Sequence, residues 1–144
     1  MEKKKDGQSL KIIGRTEYID IPTWNLYELK AKIDTGAYTS SLHCHRIELQ
    51  ETKTTSTVRF NLLDPSHEAY NDKLFELPVH KIKKVKSSNG QTETRIIIKT
   101  DLILAGRKLK AELSLTDRSE MRYPLLIGRK LLKGRFLVDV RQKS

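Results

Sequence analysis

The segment 32–37, Lys-Ile-Asp-Thr-Gly-Ala, presents a carboxylate in a setting that suits chemistry. Apolar and polar residues alternate over 29–33, which predicts a half-buried strand that ends at Asp34. Thr35 can hydrogen bond to nearby backbone through its hydroxyl group, and Gly36 permits close approach of another backbone. An Asp-x-Gly turn after a strand is also common as an ordinary chain reversal. Asp34 is therefore either a reacting group or a turn residue.

The elements that must hold Asp34 are short extended runs bounded by turn residues, with one short helix predicted at 129–133. The predicted strands cover 12–21, 29–34, 42–49, 57–63, 75–79, 81–86, 92–100, 109–115, 125–127 and 136–140. Between them, 50–56 is predicted to be a hairpin tip and 65–73 an exposed loop. Because no repeat or linker interrupts the pattern, we predict one closed or partly closed all-β domain over 10–144, preceded by a flexible tail at 1–9.

A hairpin turn at Asn89 and Gly90 is the second feature with a defined geometry. Both residue types tolerate positive φ, and extended runs lie on either side, which is the strongest short-range hairpin signal. Ser87 and Ser88 come directly before the turn. A hairpin of this kind either covers a binding site or is an ordinary surface turn, and its spacing does not decide between the two.

Composition limits the compartment and the partners. The 144 residues are 37% hydrophobic and 32% charged, hold no apolar run long enough to span a membrane, and begin with a charged segment rather than a secretory signal. We therefore expect a cytoplasmic protein with no membrane partner. The 28 lysines and arginines exceed the 18 acidic residues, and the net charge of +10 favours nucleic acid, an acidic surface or an acidic peptide. Cys44 is the only cysteine, which rules out an internal disulfide and a cysteine-rich zinc site.

The order of these segments resembles that of one protein family. An Asp-Thr-Gly segment is followed by a hairpin, then by the Leu-Ile-Gly-Arg of 126–129, a short helix and a final strand. The chain resembles the retropepsin-like bacterial proteins often labelled ATP-dependent zinc proteases, over nearly all of 12–140. The motifs that carry the resemblance lie at 31–37, 39–43, 85–90, 115–119, 121–124 and 126–129. It implies an all-β, retropepsin-like (acid-protease) closed β-barrel with one short helix near the C-terminus.

The resemblance also implies roles for individual residues, with Asp34 as the catalytic residue of an aspartic peptidase. The residues that would support the catalytic loop are Thr35, Gly36, Ala37, Ile127, Gly128 and Arg129. The residues that would form a flap over the substrate are Ser87, Ser88, Asn89 and Gly90. One position departs from the pattern. Retropepsins carry an aspartate four residues beyond the catalytic one, where it pairs with the arginine, and Tyr38 stands there in this chain, so Arg129 needs a different partner.

Peptide hydrolysis by carboxyl groups, without a covalent intermediate, needs two of them. One acts as the base for a water and the other, protonated, polarises the carbonyl, and two carboxyls held about 3 Å apart share one proton. The chain has a single Asp-Thr-Gly, and no other aspartate precedes Thr-Gly or Ser-Gly. The second carboxyl must therefore be Asp34 of another copy across a two-fold axis, which predicts a homodimer.

The best candidates for metal ligands are His43 and His45. They face the same way on a strand, so only two ligands converge there, and His67 and His80 are distant in sequence. No Gly-rich phosphate loop with Lys-Ser/Thr is present either. We predict no bound metal and no cofactor, in contrast to the zinc and the ATP of the family label.

These observations together predict an aspartic-type peptidase that hydrolyses peptide or protein substrates. Members of the family are found near ligases that add glutamates to ribosomal protein, so the resemblance implies acidic, glutamate-rich peptides, and a basic chain would concentrate such peptides. Three alternatives stay open. They are a non-catalytic peptide-binding or scaffold barrel, a basic nucleic-acid-binding barrel, and a zinc peptidase. The nucleic-acid alternative is weaker because aromatic residues make up only 6% of the chain and single strands need stacking platforms.

Overall fold

The computed structural model describes residues 9–63, 73–86, 88–117 and 123–143. The strands are β1 (Lys11–Ile13), β2 (Thr16–Ile21), β3 (Leu26–Ile33), β4 (Ser40–Glu51), β5 (Ser56–Leu62), β6 (Leu74–Pro78), β7 (Lys81–Lys86), β8 (Thr92–Leu104), β9 (Arg107–Thr116), β10 (Leu125–Ile127) and β11 (Phe136–Val138). One helix, α1, spans Arg129–Leu132, and a 3-10 turn spans Pro22–Trp24. The predicted tail and the predicted loop at 65–73 lie outside the described residues, except for Ser9 and Lys73.

Six strands close into a barrel. Their order is β10, β3, β2, β8, β9 and β4, and β4 pairs with β10 again to complete the ring. The predicted closed β-barrel with one short helix is therefore confirmed. β5 and β6 extend the sheet from β4, and β7 pairs with β8 outside the ring. The two ends of the described chain form a separate parallel sheet, β1 with β11.

The alternation in β3 places its apolar side chains in the core of the barrel. Leu29, Ala31 and Ile33 are buried, whereas Lys30 and Lys32 are exposed. The largest fully buried side chains of the core are Phe60, Ile13, Ile19, Ile21, Leu42, Leu63, Ile98, Leu102, Leu104, Leu113, Leu125 and Ile127. These come from nearly every part of the barrel, so the end of β3 is anchored in a single packed core.

Three aromatic rings pack together where the β5–β6 arm meets the 3-10 turn. Phe60 and Phe75 stack with their centroids 5.6 Å apart, and Trp24 packs against both, at 6.2 and 5.5 Å. Trp24 is buried, so it is a core residue in this chain.

Within the described residues, no helix is long and apolar enough to cross a membrane.

The prediction of one continuous strand over 12–21 is wrong, because the chain turns between β1 and β2. A Cβ atom at Gly14 would lie 2.6 Å from the carbonyl oxygen of Gln142, and the Arg15 amide donates to that same oxygen at 2.7 Å. The C-terminal segment therefore packs on the turn, and β1 pairs with β11 instead of with a strand of the ring. No local sequence pattern predicts this contact, since Gly14 and Gln142 are more than 120 residues apart.

Candidate active site

Asp34 lies directly after β3 and is tied to β10. Its backbone amide donates to the Ile127 carbonyl at 2.8 Å, which continues the parallel pairing of β3 with β10. Its carboxylate oxygen Oδ1 accepts a hydrogen bond from the Gly36 amide at 3.1 Å, and its carbonyl accepts one from the Ala37 amide at 3.2 Å. These bonds form a tight loop that fixes the carboxylate, which stays partly accessible, beside the exposed Thr35 and Gly36.

Gly128 lies directly against the segment that follows the loop. A Cβ atom at this position would lie 2.4 Å from the Thr39 carbonyl oxygen and 2.7 Å from that of Tyr38, closer than real Cβ contacts occur. The Gly128 amide donates to the buried Ser40 Oγ at 3.0 Å. A glycine is therefore required here by close backbone approach.

The first turn of α1 holds the other end of the loop. The Arg129 amide donates to the Ala37 carbonyl at 2.8 Å, and the Lys130 amide donates to the Tyr38 carbonyl at 2.9 Å. Amides at the start of a helix have no partner within the helix, and here the loop carbonyls satisfy them. The Asp34 loop is therefore held at both ends by hydrogen bonds to the segment Ile127–Lys130, which covers the end of β10 and the start of α1.

Arg129 has a different partner from the aspartate that retropepsins use. Its Nη1 donates to the Thr35 carbonyl at 2.9 Å, and its guanidinium carbon lies 5.9 Å from the centre of the Tyr38 ring. Tyr38 thus replaces a carboxylate with a ring face that can hold a cation. Arg129 supports the loop directly through the backbone rather than through an ion pair.

The sequence reasoning gave no role to Ser40. It is a polar residue, only 4% exposed, at the start of β4, and its hydroxyl oxygen accepts a hydrogen bond from the Gly128 amide. The first residues of β4 mix polar and apolar types, so no local signal singled out this serine. Its partner is 88 residues away along the chain.

The hairpin predicted at Asn89 and Gly90 joins β7 to β8. Its register runs from Lys81 opposite Ile97 to Lys86 opposite Thr92, and Gly90 has φ +85°. Ser88, Asn89 and Gly90 are exposed, while Ser87 lies outside the described residues. The hairpin is thus present, and its role as a flap stays a prediction.

The two candidate metal ligands have other partners. His43 is buried, with Nδ1 3.3 Å from the Thr116 carbonyl oxygen, and His45 Nδ1 lies 4.0 Å from an Asp117 carboxylate oxygen. Cys44, between them, is fully buried, and burial raises the pKa of its thiol well above the usual value. Over the described part of the chain, no three His, Cys, Asp or Glu side chains are grouped closely enough to hold a metal ion.

Comparison with known proteins gives a family and similar solved structures over most of the chain. The family described as "Retropepsin-like aspartic endopeptidase RimB" (RimB-like) matches residues 12–144. The crystal structure of Lpg0085, a Legionella pneumophila protein of unknown function, is similar with a TM-score of 0.74 and 29% sequence identity. That similarity covers 94% of this chain and 97% of the Legionella chain.

Longer relatives carry a related segment. The chain is 36% identical over 132 residues to a "probable alpha-L-glutamate ligase" of Parasynechococcus marenigrum. It is 34% identical, also over 132 residues, to a protein of the same name from Shewanella pealeana. Each match covers 89% of this chain but only 28% of the relative, so the chain spans little more than a quarter of those proteins.

Proposed function

Because the chain belongs to the RimB-like family of retropepsin-like aspartic endopeptidases, we propose that it hydrolyses peptide bonds with a water held between the Asp34 carboxyls of two copies. The observation that carries the proposal is the fixed loop at the end of β3. Asp34 is tied to Ile127, its carboxylate is oriented by the Gly36 amide, and Arg129 holds the loop from behind. The residues beside the carboxylate, Thr35 and Gly36, are exposed and available to a second copy.

The reaction follows from the two carboxyls sharing one proton. The ionised carboxylate takes a proton from the water, and the water oxygen bonds to the carbonyl carbon of the peptide. The protonated carboxyl gives its proton to the carbonyl oxygen, which stabilises the tetrahedral intermediate. When the C–N bond breaks, the first carboxyl gives the leaving nitrogen the proton that came from the water. One hydroxyl of the intermediate gives its proton to the second carboxylate as the C=O bond of the new carboxylic acid forms, so both carboxyls return to their starting state.

Gly36 supports the participation of a second copy. Among the described residues, the only atom a Cβ here would meet is Asp34 Oδ1, at 3.4 Å, which is ordinary van der Waals contact. Its φ is also outside the left-handed region that favours glycine. Nothing in the described part of one chain therefore requires glycine at this position, whereas two loops meeting across a two-fold axis would need the space.

The pairing of the chain ends leaves apolar side chains for the same interface. Ile12 and Leu137 face each other in register on β1 and β11, and they are 58% and 48% exposed. We include this surface in the proposed dimer because burying two exposed apolar side chains against a second copy would stabilise the dimer.

The proposed substrates are acidic, glutamate-rich peptides. The net charge of +10 would raise their local concentration. The relatives named for glutamate ligation carry a segment similar to this chain, and their name points to the same amino acid. Since the segment is only 28% of those proteins, their ligase name also supports a second candidate, a barrel that binds glutamate-rich peptides without cleaving them.

The proposal predicts a dimer that depends on Gly36. Sedimentation of the wild type over a range of concentrations should show a two-fold increase in mass. Gly36→Ala should raise the dimer dissociation constant by about tenfold or more, because two added methyl groups would meet at the axis. Thermal unfolding at a concentration where both proteins are monomeric should be unchanged. A wild type that stays monomeric at high micromolar concentration would exclude the shared site.

A further inference from the structure

A groove of about 470 Å³ lies next to the Asp34 loop. One side is formed by Tyr38, Thr39 and Ser40, which continue the chain from the loop, and another by α1 and the residues after it. The side chains of β7, β8 and β9 complete it, with the buried Ile97 and Ser114 at its base. The groove therefore adjoins the segment that directly follows the Asp34 loop.

The groove is strongly basic. Its cationic lining residues, contributed by β7, β8, β9, α1 and the residues after α1, are Lys83, Lys99, Lys110, Lys130, Lys133 and Arg135. Glu112 is its one acidic lining residue within the described part of the chain. The charge of the lining is therefore far more positive than the average of the chain.

The carboxylate of Glu112 already has partners within the chain. Its Oε2 accepts a hydrogen bond from Lys130 Nζ at 2.9 Å, and its Oε1 lies 3.7 Å from His80 Nε2. The hydrogen bond from Lys130 holds the pKa of Glu112 below its usual value, so this carboxylate is ionised at neutral pH and neutralises one lysine. Among the other cations of the groove, Lys99 also lowers the pKa of Glu112 through its charge, but less than the Lys130 hydrogen bond does.

Three of the remaining lysines lie on one face of the sheet by strand register. Lys99 lies opposite Glu112, and Lys110 opposite Asp101, so both lysines are on the same face of the β8–β9 pair. Lys83 joins that face, because it lies opposite Arg95, two residues from Ile97. Among the described residues, none of these three lysines forms a salt bridge. Lys99 and Lys110 each face one carboxylate across the strands without a salt bridge, and an ammonium group has three donors, so both lysines can bind a further anion.

We propose that this groove is the subsite that binds the carboxylate side chains of the peptide substrate, with Lys83, Lys99 and Lys110 as its specificity-determining contacts. The inference rests on the proposed function, since it names where that substrate is recognised. A peptide is favoured over a nucleic acid because one wall of the groove is formed by residues 38–40, which directly follow the Asp34 loop. Tyr38 is also its only aromatic lining residue among those described, which leaves little surface for stacking bases.

The test is the binding of fluorescent peptides to the Asp34→Asn protein, which cannot cleave them. One peptide carries consecutive glutamates and the other carries glutamines at the same positions. The double variant Lys99→Gln, Lys110→Gln should weaken binding of the glutamate peptide about tenfold and change binding of the glutamine peptide less than about twofold. The matched control, Lys30→Gln with Lys53→Gln, removes the same charge from exposed positions outside the groove. It should change both affinities less than about twofold.

Equal losses in the groove and control variants would overturn the subsite, since they would show only the general effect of net charge. An oligonucleotide of equal charge that binds more tightly than the peptide, through the same lysines, would overturn the peptide assignment. Failure of the proposed function is distinguishable from either outcome. In that case the lysine-dependent preference for glutamate would persist in the binding assay, while the wild type with Asp34 intact would cleave neither peptide.

Discussion

Asp34→Asn is expected to reduce cleavage of a glutamate-rich peptide by about 10³-fold or more, with the fold intact. Asparagine keeps the size of the side chain, and its Oδ1 can still accept the hydrogen bond from the Gly36 amide that Asp34 accepts at 3.1 Å. It cannot take a proton from water, and loss of general acid–base catalysis typically costs 10²–10⁴ in rate. The measurement is the initial rate with a fluorogenic peptide, together with the unfolding curve of each protein.

Asp20→Asn is the matched control for this substitution. Asp20 also accepts a backbone hydrogen bond through Oδ1, from the Glu28 amide at 2.8 Å, but it lies on β2 rather than in the loop. Its replacement should leave the rate within about twofold of the wild type, as expected for a half-buried residue outside the loop. Cleavage that survives in pure Asp34→Asn protein would remove this residue from the mechanism.

The largest effect on stability is expected from Gly128→Ala. The added Cβ would lie 2.4 Å from the Thr39 carbonyl oxygen. The backbone on either side of this contact cannot move without breaking the hydrogen bonds that the α1 amides donate to the loop. We expect the free energy of unfolding to fall by about 3 kcal/mol or more, at the upper end of overpacking substitutions. Urea unfolding followed by circular dichroism measures it.

Gly36→Ala is the control for Gly128→Ala, because it makes the same chemical change in the same loop system. Its Cβ would meet only Asp34 Oδ1, at 3.4 Å, among the described residues, so the free energy of unfolding of the monomer should change little. Equal losses of stability in the two variants would contradict the assignment of Gly128 as the glycine that the packing of the loop requires.

Much of the barrel could be predicted from local patterns. The alternation over 29–33 and the Asn-Gly turn each depend on neighbours in sequence, and both elements form as predicted. The break at Gly14 could not be predicted, because its cause is a contact with Gln142. The extension of β8 to Leu104, beyond the predicted end at Thr100, follows from its pairing with β9, which local propensity does not report.

The same division holds at the candidate site. The Asp-Thr-Gly segment and the Ile127–Arg129 segment could be found as motifs, and the structure brings them into one hydrogen-bonded network. The partner of Arg129 could not be found, since the Thr35 carbonyl is a backbone group that no residue type reveals. The groove could not be predicted from the sequence either, because its cations come from several elements that are separated along the chain.

The central claim, that two copies of Asp34 form one site, is tested most directly by mixing wild-type and Asp34→Asn chains. Subunits are allowed to exchange at a concentration well above the dimer dissociation constant, and the rate is measured as a function of the wild-type fraction. If a mixed dimer is inactive, the rate falls with the square of that fraction, so an equal mixture keeps about a quarter of the activity. A linear fall, with half of the activity in the equal mixture, would show that each chain works alone and would contradict the shared site.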